Sequence, residues 1–182
     1  KFDGPINIPL VQATIIAMAK DLGGIPEFAK PKSVGKKVAV IGGGPSGLGA
    51  AAALAQMGYA VEIHEVSAQL GGMANLIPAH RLDQKVIETD IQFLMSLGDI
   101  KANLVTNVDN PQALLKQGYA AVCVTTGLWK PIALGIENED MAIMMVDLLA
   151  HPSDFRFDGR VAVIGGGATA VDCAISARQC GA

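Results

Sequence analysis

Two glycine-rich hexapeptides contain the residues of this chain whose types and spacing are suited to binding phosphate groups. GGGPSG (42–47) follows the apolar run VAVI, and GGGATA (165–170) follows a second VAVI. Glycines placed between a strand and a helix let the backbone approach a phosphate, and the positive end of the helix dipole stabilises its charge. The pattern leaves three alternatives: a repeat, two binding sites, or two ordinary turns.

The first hexapeptide fills the G-x-G-x-x-G fingerprint with Gly42, Gly44 and Gly47. The first glycine permits a tight turn, the second permits close approach to a pyrophosphate, and the third lets the helix pack closely on the sheet. Pro45 suits the first turn of a helix, because it has no N–H to leave unpaired.

The fingerprint also requires an acid about 20 residues further on, at the end of the second strand, to bind ribose hydroxyls. Glu65 ends the segment YAVEIHE and fits this position, whereas Glu62 lies within the strand and is the weaker candidate. A glycine fingerprint alone marks an ordinary turn as often as a binding site. With the strand, the helix and the acid in place, the first loop predicts a dinucleotide-binding site.

The second hexapeptide reads G-x-G-x-x-A, with Gly165, Gly167 and Ala170 after an apolar run and before a helical pattern. Its confirming acid or arginine would lie beyond Ala182, so the alternative of an ordinary turn carries more weight here than for the first loop.

The elements that must position these loops alternate along the chain. KKVAVI, YAVEIHE, YAAVCVTTG and RVAVI have strand character, and helical patterns separate them. Such alternation is typical of an α/β fold, a doubly wound parallel sheet of the Rossmann type, followed by the start of a second dinucleotide-binding domain. The predicted divisions are an N-terminal helix and linker after an upstream domain (1–35), the first Rossmann-like domain (36–135), a connecting segment (136–159), and the first strand, turn and helix of a truncated second domain (160–182).

Composition limits the classes of function. Of 182 residues, 51% are apolar and 17% are charged, as in a packed globular protein. The net charge of −3 and the lack of a basic stripe argue against nucleic acid, and glycines interrupt the longest apolar run well short of a membrane span. None of the three cysteines forms a C-x-x-C pair, which favours free thiols in the cytoplasm over a disulfide or metal site.

Five motifs follow one another in a fixed order: AVIGGGPSGLGAAAALAQMGYAVEIHE, QLGGM, IPAHRL, VCVTTGLWKP and VAVIGGGATAVDCAISARQCGA. Together they resemble the flavin-containing NAD(P)H oxidoreductase module of the glutamate synthase small subunit and the dihydropyrimidine dehydrogenase family, including selenate-reductase-like members. The resemblance covers nearly the whole chain. The opening GPINIPLVQA is similar to the stretch that follows the iron–sulfur cluster domain in dehydrogenase-type members.

The resemblance implies two cofactors, FAD at the first loop and NAD(P)H at the second, and it implies roles for the residues that match. The residues implied for FAD are Gly42, Gly44, Pro45, Ser46 and Gly47 at the pyrophosphate, Glu65 at the ribose, Gly72 and Met73 along the cofactor, Arg81 in IPAHRL, Val108 as a looser match near adenine, and Thr126 and Gly127 where the chain passes between domains. Those implied for NAD(P)H are Gly165, Gly167, Ala168, Thr169 and Ala170. Ala168 departs from the Asn or Asp that family members often have, and IENED replaces I-P-G-E.

The implied function is that of an oxidoreductase module in which FAD accepts hydride from NAD(P)H and electrons pass to iron–sulfur clusters or a partner domain. The clusters would belong to an upstream region. No catalytic side chain and no metal ligand is expected in this chain, and no cysteine lies between Pro131 and Arg160 to form a dithiol acceptor. We expect the complete protein to be the enzyme and this part alone to be inactive. The alternatives are an FAD- or nucleotide-binding fragment without turnover and a one-site NAD-binding Rossmann domain.

Overall fold

The computed structural model describes residues 5–23 and 28–182. Four strands and six α-helices form within this part of the chain: α1 (Ile8–Asp21), β1 (Lys37–Ile41), α2 (Pro45–Gln56), β2 (Ala60–His64), α3 (Gln84–Ser96), β3 (Ile100–Asn103), α4 (Pro111–Lys116), β4 (Ala121–Val124), α5 (Met145–Ala150) and α6 (Ala168–Gln179). Short 3-10 helices span Gly72–Leu76, Glu139–Met141 and Pro152–Asp154. Residues 24–27, in the predicted linker, and 1–4 lie outside the described residues.

The four strands form one parallel sheet in the order β3-β2-β1-β4. β1 lies in the interior of the sheet and pairs with both β2 and β4, so its apolar side chains are covered on both faces. This order, with helices between the strands, is that of a Rossmann-like sheet and confirms the predicted α/β fold class.

The two faces of the sheet are covered by different side chains, because successive residues of a strand point to opposite sides. On one face Val40 packs against Leu48 and the alanines of α2, whose small side chains let the helix lie close to the strands. On the other face Ala39 and Ile41 pack against Leu114 of α4 and Tyr119.

Strand β3 is absent from the sequence prediction. Its residues, IKAN, include a lysine and an asparagine, and the strand lies at the edge of the sheet with none of its residues fully buried. An edge strand does not need the continuous apolar run that identifies a central one.

The strand predicted at RVAVI (160–164) is not observed. These residues pair with no strand of the described sheet, and Ile164 is 73% exposed. The helix predicted after the second glycine loop is present as α6. The predicted Met-rich helix 141–150 is shorter than expected, because α5 begins only at Met145, after the 3-10 turn Glu139–Met141. The domain divisions remain predictions.

The three cysteines are free thiols, as the sequence favoured. Burial, and secondarily the charge of Asp172, raise the pKa of Cys173, so its thiol is kept in the unreactive protonated form. No helix in residues 5–23 and 28–182 combines the length and apolarity needed to cross a bilayer.

A polar cluster on the α4 side of the sheet links β2 to the segment before β4. The Tyr119 hydroxyl donates to Oε2 of Glu62 at 2.6 Å, and the Lys37 ammonium lies 4.0 Å from the centre of the Tyr119 ring. Burial and the neighbouring Glu62 carboxylate raise the pKa of Tyr119 to about 12. The same hydrogen bond is the main reason that the pKa of Glu62 is lowered.

We predict that Tyr119→Phe removes a pH-dependent part of the stability. Because the folded pKa of Tyr119 lies above its ordinary value of 10.0, its contribution is complete below that pH and is lost as the pH rises towards about 12. Urea unfolding across this interval should show a smaller decline in the variant, and the lost hydrogen bond should cost about 0.5–1.5 kcal/mol at neutral pH. Equal slopes in the parent and in Tyr119→Phe would contradict the prediction.

Candidate dinucleotide-binding site

A cleft opens at the carboxyl edge of the parallel sheet, beside the first glycine loop. Five stretches of chain line it: the loop itself, the end of β2, the start of the 3-10 helix Gly72–Leu76, the residues after β3, and the residues after β4. The predicted residues that it brings together are Gly42, Gly44, Pro45, Ser46, Glu65, Gly72, Met73, Val108, Thr126 and Gly127. In α/β sheets ligands bind at this edge.

The turn between β1 and α2 depends on glycine at two positions. Gly42 has φ +102°, a conformation unfavourable for other residues, and a Cβ there would lie 2.5 Å from the carbonyl oxygen of Thr125. A Cβ at Gly47 would overlap the carbonyl oxygen of Gly42. These two glycines therefore let α2 start directly against the end of β1, although Gly47 itself does not line the cleft.

Gly44 differs from those two glycines, because the space beside it is open. A Cβ at this position would meet only Gly72 Cα, at 3.8 Å. Gly44 is also the N-cap of α2 and lines the cleft. The absence of a side chain here leaves backbone accessible from the cleft, as close approach by a pyrophosphate requires.

The helices that follow the two glycine loops have no side chain capping their N-termini. Asn7, Asp83 and Asn110 cap α1, α3 and α4 with side-chain oxygens. By contrast, the N-caps of α2 and α6 are glycines, which cannot form such a hydrogen bond. The short α5 also lacks one, at its N-cap Met144. The first N–H groups of α2 and α6 are thus not satisfied by a side-chain cap, and a phosphate can accept from groups of this kind.

Glu65 fixes the first loop through its carboxylate. Oε2 accepts from the Gly43 N–H at 2.5 Å and Oε1 accepts from the Ser67 N–H at 2.8 Å, while the residue is 4% exposed. Burial opposes ionisation, but the hydrogen bonds from the Ser67 and Gly43 backbone outweigh it and lower the pKa of Glu65.

Glu62, the weaker candidate for the acid, points its carboxylate at Tyr119 and Asn103 instead. It is not among the residues that line the cleft. The alternation of side chains along β2 explains the difference, since Glu62 and Glu65 lie on opposite faces of the strand and its extension.

Several residues that line the cleft were not identified as site residues from the sequence. The Thr125 hydroxyl donates to the carbonyl oxygens of Ile41 and Gly42, both at 2.9 Å, and so ties β4 to the loop. The signal available in the sequence was position, because residues directly after parallel strands meet at this edge. The others are Ile41, His64, Val66, Thr106, Asn107 and Trp129, of which only Trp129 was considered as a possible contact.

The second loop repeats the local geometry of the first. Gly165 has φ +134°, and a Cβ there would lie 3.4 Å from the Cβ of Ala170, so the first and third positions of the motif approach each other again. Gly167, Thr169 and Ala170 line a second, largely apolar cleft with residues of 132–148 and 157–164. Gly165 and Ala168 are outside its lining, although Ala168 is the first residue of α6.

Arg81 lies apart from the first cleft. Its guanidinium Nη1 forms an ion pair with Oδ2 of Asp172 in α6, at 2.5 Å. The structure thus joins the segment of the IPAHRL motif to the helix of the second loop, a contact that no local pattern in the sequence indicated.

The region around the first loop is similar to a known protein family. Residues 40–102 match the family described as NAD(P)-binding Rossmann-like domain. That match covers the last two residues of β1, all of α2, β2 and α3, and most of β3.

Three relatives extend the similarity over most of the chain. The beta subunit of the NADP(+)-dependent formate dehydrogenase of Moorella thermoacetica is 38% identical over 81% of this chain and 22% of its own length. The glutamate synthase [NADPH] small chain of Bacillus subtilis is 32% identical over 96% of this chain and 39% of its own. The NAD-dependent dihydropyrimidine dehydrogenase subunit PreT of Escherichia coli is 36% identical over 98% and 45%. The chain therefore spans less than half the length of these relatives.

We predict that alanine substitutions at two glycines of the first loop destabilise the ligand-free protein to different extents. Gly47→Ala forces a methyl group against the Gly42 carbonyl and should lower the free energy of unfolding by about 1–3 kcal/mol. Gly44→Ala, a matched change in the same loop, should cost less than about 1 kcal/mol because its side chain has room. Urea unfolding measures both, and a Gly47→Ala protein as stable as the Gly44→Ala protein would refute the loop geometry.

Proposed function

We propose that this chain, a homologue of the glutamate synthase small chain and of the dihydropyrimidine dehydrogenase subunit PreT, is the dinucleotide-binding part of an oxidoreductase. FAD binds at the first glycine loop and NAD(P)H at the second. Electrons leave for iron–sulfur clusters or for a partner domain or subunit.

The observation that carries the proposal is the convergence of separate segments on one cleft. The glycine loop, Glu65, Gly72 and Val108 are far apart in sequence, yet all line the cleft at the carboxyl edge of the sheet. An ordinary glycine turn would not require an acid and two further loops to converge on it.

The chain's residues fit FAD at this cleft in specific ways. The uncapped N-terminus of α2 and the open space beside Gly44 suit the pyrophosphate, and the Glu65 carboxylate, which lines the cleft, suits ribose hydroxyls. Gly72 and Met73 would lie along the cofactor, and Val108 near its adenine. When bound, FAD would supply the redox chemistry by accepting hydride from NAD(P)H. The protein's task is then to bind the two cofactors, to orient them and to exclude water.

The second loop supports a site for NAD(P)H. Gly167, Thr169 and Ala170 lie at the uncapped start of α6 and face the second cleft, where a dinucleotide phosphate would accept from backbone N–H groups. Three relatives carry NADP(+), NADPH or NAD in their names.

Two features favour electron transfer to a partner over transfer to a dithiol within this chain. The three cysteines are free thiols, and none lies between Pro131 and Arg160. The relatives are named as subunits or chains of larger enzymes, of which the matched region is less than half.

One observation favours the alternative function, a nucleotide-binding part without turnover of its own. The run VAVI before the second loop forms no strand, and Ile164 is exposed, so the second site is less completely built than the first.

Spectroscopy separates the two functions. Under the proposed function the purified complete protein is yellow, and NAD(P)H bleaches its flavin absorbance without oxygen. A yellow protein that NAD(P)H leaves unchanged supports the alternative. A protein that stays colourless after incubation with FAD excludes the assignment of the first loop.

We predict that Glu65→Gln weakens FAD binding about 10-fold or more. The amide keeps one acceptor oxygen but presents an NH2 group in place of the other, so it accepts fewer hydrogen bonds from the ribose hydroxyls. Losing a hydrogen bond to a charged acceptor costs about 1.5–3 kcal/mol. Titration of the apoprotein with FAD, followed by flavin fluorescence, gives the dissociation constant. Glu62→Gln is the matched control, since Glu62 does not line the cleft; equal weakening in both variants would contradict the assigned role of Glu65.

The pH dependence follows from the same residue. The pKa of Glu65 is lowered in the folded protein, so its contribution to stability is complete above the ordinary carboxyl range and is lost as the pH falls through the folded value. We predict that the parent loses stability more steeply on acidification than Glu65→Gln does. Thermal unfolding at a series of acidic pH values measures the two slopes, and parallel slopes would disprove it.

A further inference from the structure

The Arg81–Asp172 ion pair connects the two parts of the molecule that carry the glycine loops. Arg81 belongs to the segment between the 3-10 helix Gly72–Leu76 and α3, and Asp172 is the fifth residue of α6. The two residues are 91 positions apart in sequence and their charged atoms are 2.5 Å apart. At that distance the contact is a charge-assisted hydrogen bond.

The burial of Asp172 makes the position of α6 depend on this contact. Asp172 is 4% exposed, and its other oxygen, Oδ1, has no hydrogen-bond partner in the described residues. The Arg81 side chain is 44% exposed and brings the positive charge in from the surface. A buried carboxylate needs a compensating charge, so α6 is held where Asp172 can reach Arg81.

A second contact runs parallel to the ion pair. α5 packs against α6 and also against the 3-10 helix Gly72–Leu76. The first residues of that 3-10 helix, Gly72 and Met73, form one wall of the first cleft. α6 is therefore joined through α5 to the 3-10 helix that begins at the cleft wall, and through the ion pair to the segment that follows this 3-10 helix.

We propose that Arg81 and Asp172 are positioning residues, which fix the helix of the second glycine loop relative to the first cleft so that the two bound dinucleotides are aligned for hydride transfer. This inference rests on the proposed function. Transfer rates depend steeply on alignment, since a displacement of about 1 Å can cost about 100-fold in rate. Neither residue needs to touch a dinucleotide to have this effect.

The test is a double-mutant cycle in the complete FAD-loaded protein with Arg81→Met, Asp172→Asn and the two combined. Stopped-flow reduction of the flavin by saturating NAD(P)H, without oxygen, gives the transfer rate. Flavin fluorescence gives the dissociation constant for FAD, and thermal unfolding gives stability. Arg178→Met is the matched control, because Arg178 is an exposed arginine on the same helix.

Each single variant should reduce its flavin about 10-fold more slowly than the parent, and the double variant about as slowly as either single one, because the two residues act through one contact. The dissociation constant for FAD should change less than about threefold, since Arg81 does not line the cleft. Stability should fall most in Arg81→Met, because this variant leaves the buried Asp172 carboxylate without its positive partner. In the double variant the stability should recover, whereas the transfer rate should stay low. Arg178→Met should match the parent in every measurement.

Parental rates in both single variants would overturn the inference, as would a loss of rate in the double variant equal to the product of the two single losses. Loss of FAD affinity in Arg81→Met but not in Asp172→Asn would also overturn it, by showing that Arg81 contacts FAD directly. If Arg81→Met does not fold, Asp172→Asn carries the test alone, since it removes the ion pair from the other side; a parental transfer rate in that variant overturns the inference. Failure of the proposed function is distinct, because the parent itself would then bind no FAD or resist reduction.

Discussion

The close approach of α2 to the end of β1 is the constraint on which the sheet packing and the first cleft depend. It exists because Gly47 has no Cβ to collide with the Gly42 carbonyl. With the helix held there, the alanines of α2 pack directly on the sheet, and Ala51 and Ala55 are buried. The same approach directs the start of the helix, with its N–H groups, towards the carboxyl edge where the cleft opens.

Polar contacts then fix the remaining walls of the cleft. Glu65 joins the end of β2 to the loop through the Gly43 N–H, and Thr125 joins the end of β4 to it through the carbonyls of Ile41 and Gly42. Each of these side chains comes directly after a parallel strand, so the sheet delivers both to one edge. The cleft is thus a consequence of strand order, and its chemistry depends on which residues follow the strands.

The sequence predicted those features that local sterics determine. Gly42, Gly47 and the spacing to Glu65 follow from the requirements of one turn and one strand, so a pattern of about 25 residues contains them. β3 was missed because Lys101 and Asn103 are acceptable at a sheet edge and interrupt the apolar run. The Arg81–Asp172 contact was missed for another reason: it joins distant segments, and neither residue belongs to a local pattern that requires the other.

The two copies of VAVI show most clearly where local sequence stops determining structure. Residues 38–41 lie between two paired strands and are buried, whereas residues 161–164 have the same four side chains and pair with no strand of the described sheet. Both are nevertheless followed by a positive-φ glycine and a helix capped by glycine, because the turn is local while strand pairing is not. The second loop therefore has its own turn geometry without the sheet that supports the first, and the contacts that place it include those of α6 with α5 and of Asp172 with Arg81. For this reason the alignment of the two loops depends on side chains outside both glycine motifs.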